Sequence, residues 1–400
     1  MMHIVILAGG FGERLWPASS PEFPKQFMAL KEGLSFFQQA LERAVLLTCL
    51  TSQEADTDGG EHKQADESVI AVITRKQIVT QTVKQCNDFA QGLSSDVRRL
   101  FFEKLLVIAE PSSRHTAPPL ALMSRYIQAL CRNKGIKEEP ILSLTGDHII
   151  EPFDAFSANV QTALEQALQG RFVCFAIPPT EASTGFGYIK AGVCAEKDVY
   201  KIDSFKEKPD AQTAQAYLKS GSYYWNSGMF CFLPSIFMNE LKLHAPDIAS
   251  HFPECDFSKD GTYSQNVCMT EAPSVNKIGS IKAIENWIYM ENAYQSVPSL
   301  AVDVAVAERT DKAYAVRASF EWRDVGTWEN FADLFSENAN TAETETSGCF
   351  VYSDIPAVLC GVRDIIVVVK NGKLFITKKG SSTLLKDPSV RDFIAHLDLK

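Results

Sequence analysis

Short apolar runs alternate with stretches of helical periodicity through the first half of the chain. His3 to Leu7, Val69 to Ile73, Leu105 to Ala109, Ile141 to Leu144 and Phe172 to Ile177 have the length and apolar density of buried strands. Between them, Ala121 to Leu130 has helical spacing. A further helix begins near Pro152 and places Phe153, Phe156, Val160, Ala163, Leu164 and Ala167 on one face, with Gly170 ending it. This alternation predicts an α/β fold: a mixed, mainly parallel sheet flanked by helices. Thr51 to Asp66 is polar, acidic and without apolar periodicity, so an exposed, mobile insertion with no catalytic role is expected there. A second break falls near Glu337 to Ser347. Beyond it come short β-like pieces at 350–352, 357–359, 365–369 and 374–376, with Asn371-Gly372 as a tight turn and a closing helix from about Val390 to Leu397. Two domains are expected, residues 1–336 and a small β unit over 345–400.

Composition narrows the class. The chain has 400 residues and 46% hydrophobic content, enough for a substantial core. A formal net charge of −10 makes it a poor generic nucleic-acid binder, so any phosphate must be met by local cations or a metal. Its 10 cysteines show no Cys-x-x-Cys pair, which points to reduced thiols rather than a zinc site or disulfide framework. No stretch approaches a membrane span, and no charged leader precedes an apolar run. The expectation is a soluble, cytoplasmic protein.

The densest chemistry follows the first strand: Leu7-Ala8-Gly9-Gly10-Phe11-Gly12-Glu13-Arg14-Leu15-Trp16-Pro17, then Pro24-Lys25-Gln26-Phe27. Glycines let backbone amides approach an anion, and Arg14 and Lys25 are cations able to bracket a polyphosphate. The loop lies where open α/β sheets place ligands. It is not a dinucleotide fingerprint, since Leu15 stands where the third glycine belongs, and it lacks the Gly-Lys-Ser/Thr of a P-loop. A plain glycine-rich turn with surface charges is the alternative.

Elsewhere the signals are shorter. Asp147, in Gly146-Asp147-His148 after a strand, is either a metal-holding carboxylate or a turn residue. His148 is either a further ligand contact or a hydrogen-bonded structural histidine. Asp324, in Trp322 to Trp328, either shares a metal or caps a helix beginning near Thr327. Glu207-Lys208-Pro209 pairs an acceptor for sugar hydroxyls with a cation for a sugar phosphate, or is surface charge. Thr184-Gly185-Phe186-Gly187-Tyr188 offers unobstructed amides, or is a turn. Asn226-Ser227-Gly228 is read as lying just before an apolar strand.

Together, and in this order, these motifs resemble the nucleotide-sugar pyrophosphorylases. Glu110-Pro111 with Arg114-His115-Thr116-Ala117-Pro118 and the tail Leu359 to Val369 belong to the same likeness. Leu15-Trp16-Pro17 with Pro24-Lys25-Gln26-Phe27 is most similar to the mannose/guanine branch. The resemblance implies a Rossmann-like nucleotide-diphospho-sugar transferase fold, with a C-terminal unit resembling part of a left-handed β-helix. It also implies synthesis of GDP-mannose and pyrophosphate from GTP and mannose 1-phosphate, with Mg²⁺. Arg14, Lys25 and Lys208 are then catalytic, and Asp147 and Asp324 hold the metal. Leu7, Ala8, Gly9, Gly10, Gly12, Glu110, Arg114, Thr116, Pro118 and Gly146 bind the nucleotide. Gly185, Glu207, Asn226 and Asp303 bind the sugar. Three departures stand out: Ser20 where the branch usually has Arg, His115 in place of a usual Asn, and Leu300-Ala301-Val302-Asp303-Val304-Ala305 as a loose version of a stretch usually reading Ser-Ile-Asp-Tyr, with Asp303 kept. A catalytically weak regulatory relative, or a different sugar phosphate or nucleotide, are the alternatives. The chain ends too soon for the isomerase domain of some bifunctional relatives, and the open β edges lean towards a homodimer.

Overall fold

A computed structural model describes residues 1–30, 33–57, 67–256, 268–269, 273–335 and 341–398. The chain forms two compact units. One comprises Met1–Gly9, Ala40–Gly146 and Ile150–Trp322; the other comprises Gly10–Gln39, Asp147–Ile149 and Arg323–Lys400.

The first unit is built on an 11-stranded sheet. In chain order its strands are β1 (His3–Leu7), β2 (Ile70–Arg75), β3 (Leu105–Glu110), β4 (Ile141–Thr145), β5 (Phe172–Ile177), β6 (Tyr188–Glu196), β7 (Val199–Lys206), β8 (Tyr223–Phe232), β9 (Asn276–Ile278), β10 (Ile281–Ile284) and β11 (Ala313–Arg317). Their spatial order is β9-β10-β3-β2-β1-β4-β8-β5-β11-β7-β6. The run β10-β3-β2-β1-β4 is parallel throughout, as is the β5–β11 pair. Antiparallel β8 joins β4 to β5, and the β6–β7 hairpin closes the far edge. The parallel strands are buried on both faces and read as continuous apolar runs for that reason. β1 lies between β2 and β4, so the chain leaves it in one direction and returns on the other side. The carboxyl ends of β1 and β4 therefore flank a topological switch point, where such sheets form a ligand crevice. There the Gly146 amide donates to the Leu7 carbonyl at 3.0 Å.

Several elements extend beyond their sequence signals. The helix expected at 121–130 runs Ala117–Lys134: Pro118 and Pro119 are tolerated in its first turn, and Gly135, with φ 64°, ends it. Asn226 to Gly228 lie within β8 rather than before it. Gly228 has φ 71°, and the β5–β8 register shifts between Cys174 and Ala176. The expected insertion at 51–66 is helical at its start, because the helix Phe36–Thr57 runs into it as far as Thr57: no glycine or proline interrupts residues 51–57. Residues 58–66 lie outside the described residues.

The second unit holds β12 (Thr341–Thr344), β13 (Phe350–Ser353), β14 (Ala357–Cys360), β15 (Ile365–Lys370) and β16 (Lys373–Lys378). The break expected at 337–347 thus contains a strand, β12, and residues 336–340 lie outside the described residues. Three parallel pairings share one offset: Thr341 with Ala357, Ser347 with Arg363 and Phe350 with Ile366 are each 16 residues apart. That constant offset defines one coil of a parallel β-solenoid. Asn371-Gly372, at φ 54° and 71°, turns β15 into antiparallel β16. The unit's core joins this coil to the glycine-loop segment: Leu15, Met28 and Phe36 pack with Trp328, Phe331, Phe350, Ile366 and Leu385. The Trp328 indole donates to the Trp16 carbonyl at 3.0 Å, and Asn371 donates to the Pro17 carbonyl at 3.3 Å.

Candidate active site

In the second unit, one buried cation organises the site. Lys25 is 3% exposed, and its ammonium donates to Asp147 Oδ2 at 3.0 Å and to Asp324 Oδ1 at 2.9 Å. Its position is fixed from beneath by Gly12. That glycine has φ 62°, and a Cβ there would lie 2.3 Å from the Lys25 amide nitrogen, so no larger residue fits. The Lys25 ammonium also lies 5.2 Å from the Phe36 ring centroid. Burial alone would lower its pKa, but Asp147 and Asp324 outweigh that and raise it. Burial pushes the two carboxyls up, yet Lys25, helped by His148, holds both below the usual carboxylate range; Arg14 adds to the effect on Asp324. The cluster is therefore fully ionised at neutral pH.

Asp147, His148 and Asp324 each offer a ligand atom, and these lie within 4.8 Å of one another. Two hard carboxylates and an imidazole suit a divalent cation. Asp324 lies in the strand Glu321–Asp324 and does not cap the following helix. Thr327 is that cap, its hydroxyl accepting from the Asn330 amide at 3.2 Å. Arg14 is exposed, and a Cβ at Gly326 would lie 2.7 Å from its guanidinium, so Gly326 leaves room for it. Ser20 makes a turn: its hydroxyl donates to Glu22 at 3.1 Å and accepts from the Phe23 amide at 3.1 Å.

In the first unit, Leu7, Ala8, Gly9 and Gly146 meet at the switch point. A Cβ on Gly146 would lie 3.1 Å from the Leu7 carbonyl, and one on Gly9 would lie 3.2 Å from Glu110 Oε2. Glu110 ends β3 and is buried. Burial raises its pKa to about 8 against the lowering effects of a Tyr294 hydrogen bond and of Arg75. Arg75 and Tyr294 carry no sequence motif. Only the position of Arg75, the last residue of β2, marks it for the carboxyl edge of the sheet. Arg114 donates to the Tyr294 carbonyl at 3.1 Å. The Thr116 hydroxyl accepts from the Val302 amide at 2.8 Å, and Pro118 is buried in the first turn of its helix, so these two shape the loop.

A second group in the same unit gathers the expected sugar residues. Asn226 donates to Asp303 Oδ1 at 2.6 Å, and the Asn226 amide donates to the Gly187 carbonyl at 2.8 Å. Gly187 allows Glu207 to approach: a Cβ there would lie 2.4 Å from Glu207 Oε2. Lys208, at φ 44°, is exposed and pairs with Glu207. Burial, then Glu207, raise the Asp303 carboxyl to about 6, with Asn226 and Lys208 opposing. Gly185 stands apart from these contacts; its amide donates to the Ser183 hydroxyl at 3.2 Å. Phe186 packs edge-on against Trp225 and Trp322, with ring centroids 5.0 and 5.1 Å away.

The switch point in the first unit and the lysine-bridged carboxylate pair in the second are the two places suited to a phosphorylated ligand. The chain belongs to the nucleotidyl transferase family, whose pattern it matches over residues 3–341. It is 31% identical over 386 residues to the mannose-1-phosphate guanylyltransferase RfbM of Salmonella typhimurium, covering 94% of this chain and 69% of that one. It is also 31% identical over 392 residues to the alginate biosynthesis protein AlgA of Pseudomonas aeruginosa, again covering 94% and 69%. Its fold superposes on a structure from Thermus thermophilus described as a mannose-1-phosphate geranyltransferase. There the TM-score is 0.71 and the identity 24%, over 99% of each chain. No helix among the described residues is long and apolar enough to cross a membrane.

Proposed function

We propose that this chain makes GDP-mannose and pyrophosphate from GTP and mannose 1-phosphate. One observation carries the reading: the likeness to relatives named for that reaction extends over 94% of the chain. The Lys25–Asp147–Asp324 cluster is chemistry suited to it. An oxygen of the sugar phosphate attacks the α-phosphorus of GTP, and the bond from that phosphorus to the β-phosphate oxygen breaks, releasing pyrophosphate. The nucleophile is already ionised, so no general base is needed. The obstacle is repulsion between anions, which fixed cations and alignment relieve.

In this scheme residues 1–336 carry the reaction. The amides of Gly9, Gly10 and Gly12 hold phosphate oxygens, and Arg14 and Lys25 neutralise the triphosphate and the departing pyrophosphate. Glu110 accepts from guanine donors, with Arg114, Thr116 and Pro118 shaping the loop around the base. Lys208 holds the sugar phosphate, while Glu207, Asn226, Asp303 and the Gly185 amide read sugar hydroxyls. The donor set of Asp147, Asp324 and His148 fits a hard divalent ion, and we assign it to Mg²⁺; when bound, that ion neutralises phosphate charge beside the α-phosphorus.

The test is pyrophosphate release measured for four nucleoside triphosphates against three hexose 1-phosphates. Turnover greatest with GTP and mannose 1-phosphate supports the reading. A preference for another pair replaces the substrates. GDP-mannose binding without turnover makes the chain a regulatory relative.

A further inference from the structure

The second unit contains a cavity of about 230 Å³ that Arg14 shares with residues given no role above. Its polar lining is Arg14, Thr327, Ser382, Thr383, Lys386 and Arg391. Three of these six side chains are cationic and none is acidic. Two of the cations come from the C-terminal segment: Lys386 ends the short helix Ser382–Lys386, and Arg391 lies in the first turns of Pro388–Asp398.

Glu329 braces one wall of the cavity. Glu329 accepts from the Gly380 amide at 2.9 Å, from the Ser382 amide at 3.0 Å and from the Ser382 hydroxyl. Those bonds fasten the cavity wall at Ser382. A cavity that concentrates positive charge beside hydroxyl donors is suited to a compact polyanion.

We propose that this cavity binds the diphosphate leaving group, with Lys386 and Arg391 as binding residues that the C-terminal segment supplies alongside Arg14. The inference rests on the proposed transfer reaction and extends it by adding Lys386 and Arg391 to the residues that hold one product. Arg14 then has C-terminal partners, and the tail contributes to product handling as well as to packing.

The experiment compares the wild-type chain with the Lys386→Ala/Arg391→Ala double variant and with Arg391→Lys. Both positions are exposed, so the variants are expected to fold. Calorimetry with inorganic pyrophosphate should show about a tenfold or larger rise in Kd for the double variant, from loss of two charge-assisted contacts. Arg391→Lys should fall in between. In the reverse reaction, KM for pyrophosphate should rise in parallel while KM for GDP-mannose stays constant. An unchanged pyrophosphate Kd overturns the proposal. So does a weaker Kd without a matching rise in KM for pyrophosphate, because the anion then binds away from the reaction. If the wild type binds pyrophosphate through Lys386 and Arg391 but turns over no nucleotide sugar, the transfer reading and the leaving-group role fail, and the anion site remains. Wild-type turnover with pyrophosphate binding indifferent to both residues removes the cavity assignment alone.

Discussion

Lys25 Nζ and Asp324 Oδ1 lie 299 residues apart along the chain and 2.9 Å apart in space. With Asp147 on its other side, the ammonium occupies the position between carboxylates that a divalent ion would also favour. A divalent ion held by this pair would compete with the lysine, and the first prediction tests that competition.

Replacing Lys25 by Met keeps the volume and removes the charge. Two part-buried carboxylates are then left facing one another, which should cost about 3 kcal/mol of stability. That is the low end for a broken buried pair, because Asp147 is 34% exposed. Turnover should fall about a hundredfold or more, as for loss of a group that stabilises transition-state charge. Affinity for Mg²⁺ or Mn²⁺ should rise, since the competing cation is gone. Urea denaturation, steady-state rates and Mn²⁺ binding by electron paramagnetic resonance check the three effects. Weaker metal binding in Lys25→Met would reject the competition.

Acid should weaken the second unit in a defined direction. Asp147 and Asp324 are held below their unfolded values of about 4, so their contribution is present above that pH and is lost as pH falls through the depressed values. Lys25 is raised, so its share persists to at least about pH 10. Urea midpoints measured between pH 5 and 2 should fall steeply for the wild type and less steeply for Asp324→Asn. Equal slopes would show that the cluster is not the acid-labile element.

Sugar-phosphate recognition should change near pH 6. The Asp303 carboxyl is raised to about 6, so it is mostly protonated below that pH and becomes an acceptor for hydroxyl donors above it. KM for mannose 1-phosphate should therefore drop as pH rises through 6. The substrate phosphate also ionises at about 6, so variants are needed to separate the two. Glu207→Gln removes a negative neighbour and should move the Asp303 inflection to lower pH, while Asp303→Asn should leave only the substrate's own. A wild-type profile identical to that of Asp303→Asn would exclude Asp303 from recognition.

GTP binding should release protons near neutral pH. Glu110, raised to about 8, holds a proton in the free protein. Guanine N1–H and N2–H₂ donors favour the carboxylate form, so binding should expel that proton. Calorimetric titrations in buffers of differing ionisation enthalpy should detect up to one proton released per GTP at pH 7, and less for Glu110→Gln. Equal release by both proteins would argue against contact between Glu110 and the base.

Much of this was legible from local signals. β5 (Phe172–Ile177) has the bounds its apolar run predicts, and Asn371-Gly372 forms the turn its residue types demand. His115 shows why the related pattern favours Asn: the residue has φ 58°, a region in which Asn and His are enriched among non-glycine residues. What local signals could not supply was pairing. Lys25 reads as a free cation in sequence, and only the fold brings two carboxylates to it. Arg75 and Tyr294 lie beside Glu110 through strand order and helix placement, which no spacing encodes. Nor does loss of apolar periodicity mark where a helix stops, since propagation carries Phe36–Thr57 into the polar stretch that begins at Thr51.

The 16-residue offset in the second unit implies a rule for how its length can change. Because each residue of one coil stands over its counterpart one coil earlier, inserting or deleting a whole coil keeps every inward-facing side chain inward. A change of any other length puts apolar positions such as Phe350 and Ile366 out of step with the layer beneath. Within its strands the C-terminal unit can thus lengthen or shorten only in whole coils, while its turns are free to vary in length.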